Sequence, residues 1–281
     1  MVKYNRLLVA VDGSDASLHA LQEAFKISTS WVTVVTVAPF YEGDLPLMGV
    51  ANPLALLTEP CDTALLRAQE MADAAGAVIQ TACAAGPPHE RLVELAAKGS
   101  RDLIVMGAKG HSFLDRALLM GSVTRRVIGF TAKDVLVVPP AAQVGWDKIL
   151  LATDASPLSK GAEDRALDLA QAYGSELLVL AVLEFSAQIY GQAPVTQEWR
   201  EMLEKQVEEI VARAQSLNIA ATGRVVEGTP YEVISTLAQK EKINLIVMGS
   251  HGRTGLKRLL MGRVTERVIG HAPCPVLVVK G

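Results

Sequence analysis

A tandem repeat within the chain constrains its fold more than any other feature of the sequence. The five residues Leu-Ile-Val-Met-Gly stand at Leu103–Gly107 and again, 142 positions later, at Leu245–Gly249. A second shared segment, Leu-Leu-Met-Gly, occupies residues 118–121 and 259–262, an offset of 141, so the first copy contains one additional residue near Ala117. This agreement in register predicts a tandem duplication.

Each copy is long enough to fold as a domain with its own core. The chain has 281 residues, of which 50% are hydrophobic and 20% charged, a balance typical of a globular protein. We predict domains at residues 1–140 and 146–281, separated by a linker that Pro139, Pro140 and Gly145 mark. No apolar run reaches the length of about 18 residues that a membrane span needs, and the N-terminus lacks the long apolar segment of a signal peptide. We therefore expect a cytoplasmic protein with no membrane partner.

Short apolar runs alternate with helical patterns in both copies. The runs resemble parallel strands that are buried on both faces. Predicted strands occupy residues 6–11, 31–37, 78–83, 103–106 and 135–138 in the first copy, and the second copy repeats this order, for example at 148–153, 176–183, 245–248 and 276–279. This alternation predicts an α/β fold with two tandem open-sheet domains, each with five parallel strands and helices on both faces.

Local signals in the second copy predict how two of its helices begin. Ser156 followed by Pro157 has the order of an N-cap and a first helical residue, and the helix pattern directs Leu158 toward the core. Thr229 and Glu232 have the spacing of a capping box, in which each side chain satisfies an amide of the first turn.

The repeated strand at Leu245–Gly249 leads into a glycine loop. Gly252 and Gly255 follow, and a helical pattern restarts after Gly262. This order places unpaired amides and the positive end of a helix dipole where a phosphate can bind. The loop is also basic, because only Glu266 opposes five cations: Arg253, Lys257, Arg258, Arg263 and Arg267. An anionic ligand is therefore predicted.

Two carboxylates, Asp12 and Asp154, each follow the first strand of their copy. A carboxylate at that edge can accept hydrogen bonds from ribose hydroxyls or help to hold a divalent cation against phosphates. Capping of the next helix is the alternative, for which Ser14 and Asp15 are also candidates, and the two roles can coexist.

The glycine pattern resembles the signature of a known family. Gly249, Gly252 and Gly262 have the spacing Gly-x2-Gly-x9-Gly. With a Ser or Thr after the last glycine, this is the nucleotide signature of the universal stress protein family, and the chain resembles a tandem member of that family over essentially its whole length. The resemblance implies an α/β fold with five parallel strands in each copy.

The resemblance also implies a nucleotide site in each copy. In ATP-binding members the glycines and the following hydroxyl hold the phosphates, and the first-strand Asp lies near the ribose or a metal ion. The positions that correspond to the phosphate contacts are Gly107, Gly110, Gly121 and Ser122 in the first copy, and Gly249, Gly252, Gly262 and Arg263 in the second. The positions on the adenine side are Val37, Met106, Val182 and Met248. For the two methionines, core packing is at least as good an explanation.

Both copies depart from the family signature. The first has ten residues, not nine, between Gly110 and Gly121, but it keeps the hydroxyl at Ser122. The second has the family spacing, but Arg263 replaces the hydroxyl. Arg263 can clamp a phosphate or fill the pocket, and the sequence leaves both open. We favour the first copy for binding, since a loop tolerates an extra residue more easily than a site tolerates a lost ligand.

Three functions remain open at this level. The leading hypothesis is an ATP-binding stress or signalling module, with AMP or ADP as alternative ligands. A metal-dependent ATP hydrolase or phosphotransferase, using Mg²⁺, is the second, although His111 and His251 lack a partner at a spacing that indicates catalysis. The third is a protein-interaction module whose two pockets have degenerated, so that it binds no nucleotide. No residue is assigned a catalytic or a metal-binding role.

Net charge and cysteine content argue against three features: nucleic-acid binding, a disulfide framework and a zinc site. A net charge of −3 with no basic tail argues against nucleic-acid binding, and three cysteines without a Cys-x-x-Cys spacing argue against a disulfide framework or a zinc site.

The family resemblance also implies an association within the chain. The apolar last strands of the two copies would pair, giving an internal pseudo-two-fold dimer. A further homodimer is expected, with residues 39–60 as a candidate contact. That segment has no periodicity, and an interface and a mobile loop are equally good interpretations.

Overall fold

The computed structural model describes residues 4–28, 30–38, 53–110, 120–184, 196–251 and 261–280; for residues 53–57 and 196 it describes the backbone alone. The chain divides into two compact units, Tyr4–Ala141 and Ala142–Gly281. None of the described helices combines the length and the apolar character needed to cross a bilayer.

The first unit is a parallel sheet connected by helices. Its elements are β1 (Leu7–Ala10), α1 (Asp15–Ala24), β2 (Val32–Ala38), α2 (Pro53–Ala75), β3 (Ile79–Ala85), α3 (Pro88–Lys98), β4 (Leu103–Gly107), α4 (Ser122–Phe130) and β5 (Asp134–Val138). The strands lie in the order β3-β2-β1-β4-β5, and every adjacent pair is parallel.

The second unit repeats this topology. Its elements are β6 (Lys148–Thr153), a 3₁₀ turn (Pro157–Ser159), α5 (Lys160–Tyr173), β7 (Glu176–Leu183), α6 (Thr196–Ser216), β8 (Ala221–Glu227), α7 (Pro230–Lys240), β9 (Leu245–Gly249), α8 (Arg263–His271) and β10 (Val276–Val279). The strand order is β8-β7-β6-β9-β10, again parallel throughout. The predicted α/β fold class is confirmed.

Burial along the strands explains their sequences. All five residues of β4 are buried, as are those of β5, so both faces of these strands favour apolar side chains. The exception is Asp134 at the start of β5, whose carboxylate accepts a hydrogen bond from the Tyr4 hydroxyl (2.6 Å). The outer strand β3, by contrast, reads Ile-Gln-Thr-Ala-Cys-Ala-Ala and has no fully buried residue. A strand at the margin of a sheet tolerates polar residues because only part of its surface faces the core.

The helix α2 begins earlier than the sequence predicts. The sequence predicts an irregular segment up to residue 60 and a helix from residue 62. In the structure, α2 starts at Pro53 and continues through Pro60. Proline is tolerated at a first helical position because its missing N–H would have no partner there. Packing of the buried face of α2 on β2 and β3 compensates for the second proline; the buried side chains are Cys61, Ala64, Ala68 and Ala72. Residues 39–52 of the predicted irregular segment lie outside the described residues.

The helical segment that contains α5 begins at the predicted residues, but its first turn is 3₁₀ and not α-helical. Ser156 and Pro157 begin the 3₁₀ turn, whereas α5 starts at Lys160, and the Ser156 side chain makes no capping hydrogen bond. The amide of Ser159 bonds instead to the Ser156 carbonyl, 3.0 Å away, so the turn satisfies that donor through the backbone. Leu158, predicted to face the core, is 50% exposed because the turn rotates it outward.

The predicted capping box of α7 does not form either. Thr229 occupies the N-cap position but makes no side-chain capping bond. Glu232 accepts a hydrogen bond from the Tyr231 hydroxyl, at 2.8 Å, instead of reaching back to the cap.

The course of α2 through Pro60 gives a testable consequence. Pro60→Ala supplies a backbone donor and removes the ring from the preceding turn, a penalty of about 3 kcal/mol in a helix interior. Because proline also restricts the unfolded chain, we expect a net stabilisation of about 1 to 2 kcal/mol, seen as a higher midpoint of urea unfolding. The neighbouring exposed substitution Glu59→Ala should leave the midpoint nearly unchanged. A lower midpoint for Pro60→Ala would mean that the segment before residue 60 is not helical in solution.

Candidate functional site

The strand order places two predicted site loops next to each other in the first unit. β1 and β4 are neighbours, with Val9 opposite Val105, so the loops that follow them leave the same edge of the sheet. The structure brings Asp12 from one loop to Gly110 from the other. A Cβ atom built on Gly110 would lie 2.5 Å from Asp12 Oδ2, so this position accepts no larger residue unless the carboxylate moves.

The loop after β1 holds the Asp12 carboxylate in a defined position. Oδ1 of Asp12 accepts hydrogen bonds from the Ser14 amide (3.0 Å) and the Ser14 hydroxyl (2.6 Å). Gly13 has φ 83°, a left-handed conformation that glycine adopts without strain. The side chain of Ser14, not that of Asp12, caps α1, because its oxygen accepts from the Ser17 amide. The capping alternative for Asp12 is therefore wrong, while its carboxylate is exposed at the sheet edge.

Two hydrogen bonds fix the start of α4 beside the end of β4. The Gly121 amide donates to the Ala108 carbonyl (2.8 Å), and the Thr124 hydroxyl donates to the Gly107 carbonyl (3.1 Å). The second unit has the same two bonds, from Gly262 to Ser250 (2.9 Å) and from Thr265 to Gly249 (3.0 Å). The helix start is thus equivalent in both units, despite the difference in loop length.

This equivalence puts Ser122 and Arg263 at the same structural position. Each is the first residue of its helix, after a glycine N-cap that makes no side-chain bond. The first turn of α4 contains no acidic residue, whereas that of α8 contains Glu266. The Arg263 side chain is exposed, so it lies beside the helix start without filling buried space.

Two of the predicted phosphate-binding glycines have a packing role. A Cβ atom on Gly107 would lie 2.9 Å from the carbonyl oxygen of Ala16, so glycine lets β4 approach the backbone of α1 closely. A Cβ atom on Gly249 would lie 3.3 Å from the carbonyl oxygen of His251. Gly252 lies outside the described residues, as does His111.

The predicted adenine-side residues fall into two groups. Met106 and Met248 are 4% and 5% exposed, a depth consistent with the core-packing alternative. Val37 and Val182 are half-buried near the ends of β2 and β7. In each unit the first strand lies between this strand and the strand of the methionine: β1 lies between β2 and β4, and β6 lies between β7 and β9.

The corresponding loop of the second unit has different chemistry. Oδ1 of Asp154 accepts from the Ser156 amide (3.0 Å), as Asp12 does from Ser14. Ala155 replaces Gly13 and keeps the left-handed conformation, with φ 60°. A hydrogen bond from its amide to the Thr153 hydroxyl oxygen (3.1 Å) helps to hold this unfavourable backbone.

A buried carboxylate below this loop was missed by the sequence analysis. Glu163 is 1% exposed, and its Oε1 lies 3.2 Å from the Thr153 hydroxyl and 3.1 Å from the Ser159 hydroxyl. Its Oε2 lies 3.3 Å from Lys160 Nζ. Leu21, 142 positions earlier, is buried in the same helical register of the first unit. A comparison of the two copies, position by position, would have revealed this change from leucine to glutamate.

His251 contributes a polar atom next to the second glycine loop. Its Nδ1 lies 3.0 Å from the Ser250 hydroxyl, and its Nε2 is buried without a hydrogen-bond partner among the residues that the structure describes. A buried, unpaired ring nitrogen is costly unless a ligand or water completes it. Among the described residues, no three His, Cys, Asp or Glu side chains lie together as a metal site would require.

Comparisons with known proteins agree with the repeat. The sequence model of the universal stress protein family matches residues 3–139 and 145–280. A universal stress protein of Methanocaldococcus jannaschii, MJ0531, is 35% identical over 142 residues, which cover 48% of this chain and 82% of that protein. A universal stress protein of Mycolicibacterium smegmatis is 31% identical over 189 residues, 66% of this chain and 63% of that protein.

Solved structures share the fold over the whole chain. A universal stress protein from Archaeoglobus fulgidus has a TM-score of 0.70 and 22% identity, and the match covers 99% of this chain and 96% of that chain. At that identity the likeness concerns the fold alone.

The Glu163 contacts predict an unequal response to two substitutions. Glu163→Ala removes the buried acceptor that the Thr153 and Ser159 hydroxyls share, leaving Thr153 with the Ser159 hydroxyl (3.0 Å) and Ser159 with the Ser156 carbonyl (2.8 Å) as acceptors. The substitution also opens a cavity, and we expect a loss of about 2 to 3 kcal/mol of unfolding free energy. Glu163→Gln keeps an acceptor oxygen, so the loss should be about 1 kcal/mol. Asp164→Ala, on the same helix, removes only an exposed ion pair with Arg213 (2.6 Å) and should cost less than about 1 kcal/mol. Chemical denaturation measures all three; equal losses for Ala and Gln would contradict the hydrogen-bonding role.

Proposed function

The chain belongs to the universal stress protein family, as two consecutive copies of its domain, and on that premise we propose that it is a stress-related protein that binds an adenine nucleotide. The observation that carries this proposal is the meeting of Asp12 and Gly110 at the carboxyl edge of β1 and β4.

The position of this pair in the sheet supports a ligand site. In the order β3-β2-β1-β4-β5 the connections from β1 and β4 lead to opposite sides, so the strand order reverses between these two strands. Open parallel sheets bind ligands in the crevice outside the carboxyl ends of the strands at such a reversal. Asp12 and Gly110 follow those two strands.

The start of α4 supplies what a phosphate needs. The helix has nine residues, so its dipole is developed, and Gly121 provides no side-chain cap for the amides of the first turn. Without an acidic residue in that turn, phosphate oxygens meet no repulsion there. The Ser122 hydroxyl stands at the first helical position and can add a neutral donor.

We propose one orientation for the nucleotide in the first unit. The phosphates contact the α4 amides and Ser122, the ribose hydroxyls donate to Asp12, and the base lies toward Val37 and Met106. Gly110 keeps the space beside the Asp12 carboxylate open for the sugar. ATP is the ligand proposed, and Mg²⁺ is the ion that would accompany its phosphates.

The second unit offers the same backbone with altered side chains. Arg263 replaces the small hydroxyl by a cation that can pair with a phosphate bidentately, and His251 Nε2 provides an unpaired donor or acceptor nearby. We propose that the second unit binds the nucleotide through charge, whereas the first binds it in the manner of the family signature.

Asp12→Asn tests the site in the first unit. The amide oxygen can still accept from Ser14, so the loop is preserved, but the charge that favours ribose hydroxyls is lost. We expect the Kd for ATP at this site to rise by about 10- to 100-fold, since a hydrogen bond to a charged group contributes about 1.5 to 3 kcal/mol. Isothermal titration calorimetry with ATP, ADP, AMP and cAMP, each with and without Mg²⁺, measures it.

Asp15→Asn is the matched control for that experiment. Asp15 is exposed in the first turn of α1, three residues from Asp12. Its replacement by asparagine changes the net charge by the same amount as Asp12→Asn. Its Kd should stay close to that of the wild type. An equal effect of both substitutions would mean that net charge, not a ribose contact, governs binding, and an absence of any nucleotide binding by the wild type would reject the proposal.

A reciprocal exchange tests the two helix starts. Ser122→Arg places the second-copy residue in the first unit, and Arg263→Ser does the reverse. Native mass spectrometry counts bound nucleotides; we expect Ser122→Arg to weaken the first site and Arg263→Ser to change the occupancy or the salt dependence of the second. If neither substitution alters binding, the residue after the last glycine does not contact phosphate.

A further inference from the structure

Two cysteines that are distant in sequence meet in the first unit. Cys61 lies on α2 and Cys83 on β3, and the Cys83 side chain is close enough to Cys61 to raise its pKa. The helix packs directly on that strand, so this proximity follows from the way these elements assemble. Both cysteines are present as free thiols.

The two thiols differ in their access to solvent. Cys83 is exposed on the outer strand β3, whereas Cys61 is 2% exposed beneath it. Burial, together with the neighbouring Cys83 and Asp62, raises the pKa of Cys61 to about 12. Near neutral pH, Cys61 therefore stays protonated, and Cys83 is the thiol that an oxidant in solution can reach.

The second unit shows that packing at these positions does not require thiols. Leu203 and Val225 stand 142 positions after Cys61 and Cys83, on α6 and β8. Leu203 is 2% exposed, as Cys61 is, so an ordinary apolar side chain fills the same place in the helix. The thiol pair is thus a chemical difference between two copies of one fold.

We propose that Cys61 and Cys83 form a reversible disulfide when the protein is exposed to hydrogen peroxide. The Cys83 thiolate attacks one peroxide oxygen, which forms an S–O bond, breaks the O–O bond and releases hydroxide, which is protonated to water. The sulfur of Cys61 then attacks the Cys83 sulfenic acid, an S–S bond forms, and the leaving hydroxide takes the Cys61 proton. In sum, two thiols and one peroxide give one disulfide and two waters.

Because the two thiols are neighbours, disulfide formation is fast enough to compete with further oxidation of the Cys83 sulfenic acid. A sulfenic acid exposed to further peroxide oxidises irreversibly to sulfinic acid unless a nearby thiol traps it. The buried position of Cys61 beside Cys83 provides that trap and offsets its high pKa. The product joins α2 to β3 covalently, and a thiol reductant reverses it.

Peptide mapping of the full chain tests this inference. The reduced protein is treated with hydrogen peroxide, alkylated and digested with trypsin without reductant. Cleavage after Lys26, Arg67 and Arg91 puts Cys61 in the peptide 27–67 and Cys83 in the peptide 68–91. We expect one cross-linked species, two hydrogens lighter than the sum of both peptides, which dithiothreitol separates.

Three variants serve as controls. Cys274→Ser should keep the cross-link, because Cys274 lies in a different tryptic peptide, 268–280, and takes no part. Cys61→Leu, which introduces the second-copy residue, should abolish the cross-link and let the Cys83 peptide gain two or three oxygen atoms. The double variant Cys61→Leu, Cys83→Val carries the packing of the second unit and should unfold at a temperature close to that of the wild type.

Two results would overturn the proposal. One is oxygen addition at Cys83 of the wild type without a cross-linked peptide, and the other is survival of both thiols at peroxide concentrations that oxidise Cys83 in the Cys61→Leu variant. Neither result depends on nucleotide binding, so this experiment tests the disulfide independently of the proposed nucleotide-binding function.

Discussion

The pairing of β1 with β4 is the constraint on which the rest of the first unit depends. Val9 lies opposite Val105 in this pair, and the strands on either side are reached through crossovers that run in opposite directions. Because of this reversal, the loops after β1 and β4 leave the same edge of the sheet side by side, and a carboxylate from one loop meets a glycine from the other. β6 and β9 pair in the same way, with Leu151 opposite Val247, so the loops of the second unit have the same arrangement.

Duplication lets each copy serve as a reference for the other. The backbone hydrogen bonds at the helix starts are nearly identical, whereas the side chains around them are not. A glycine in one copy is an alanine held in a left-handed conformation in the other, and a buried leucine is a buried glutamate. The differences cluster at the carboxyl edge of β6 and extend to the outer strand of the first unit. The fold therefore tolerates a change of chemistry at these places while the strand order is kept.

The fold was accessible from the sequence because parallel strands leave a strong signal. A strand buried on both faces is mostly apolar, and β4, β5, β7 and β10 are short apolar runs apart from the first residues of β5 and β7, Asp134 and Glu176. Helix starts were harder to predict, since local capping rules compete with backbone turns and neighbouring side chains, as at Ser156 and Glu232. Proline was also misleading at α2, because the packing of a whole helical face outweighs one unfavourable residue.

The candidate site was only partly predictable for the same physical reason. Glycine spacing and the carboxylate after the first strand predicted the edge of the sheet at which Asp12 and Gly110 meet. The pattern could not distinguish a glycine needed by a ligand from one needed by a neighbouring helix, as at Gly107. Contacts that join distant segments, such as those of Glu163 and of Cys61 with Cys83, leave no local pattern at all.

The placement of Cys61 under an exposed thiol also affects how molecules of this protein meet one another. In the proposed cycle, the sulfenic acid of Cys83 on the outer strand would otherwise form mixed disulfides with other chains, at a rate set by their bulk concentration. A partner held close within the same fold has a far higher effective concentration than any neighbour in solution. On this proposal, Cys61 acts as an internal competitor that keeps the outer strand from becoming a site of covalent oligomerisation.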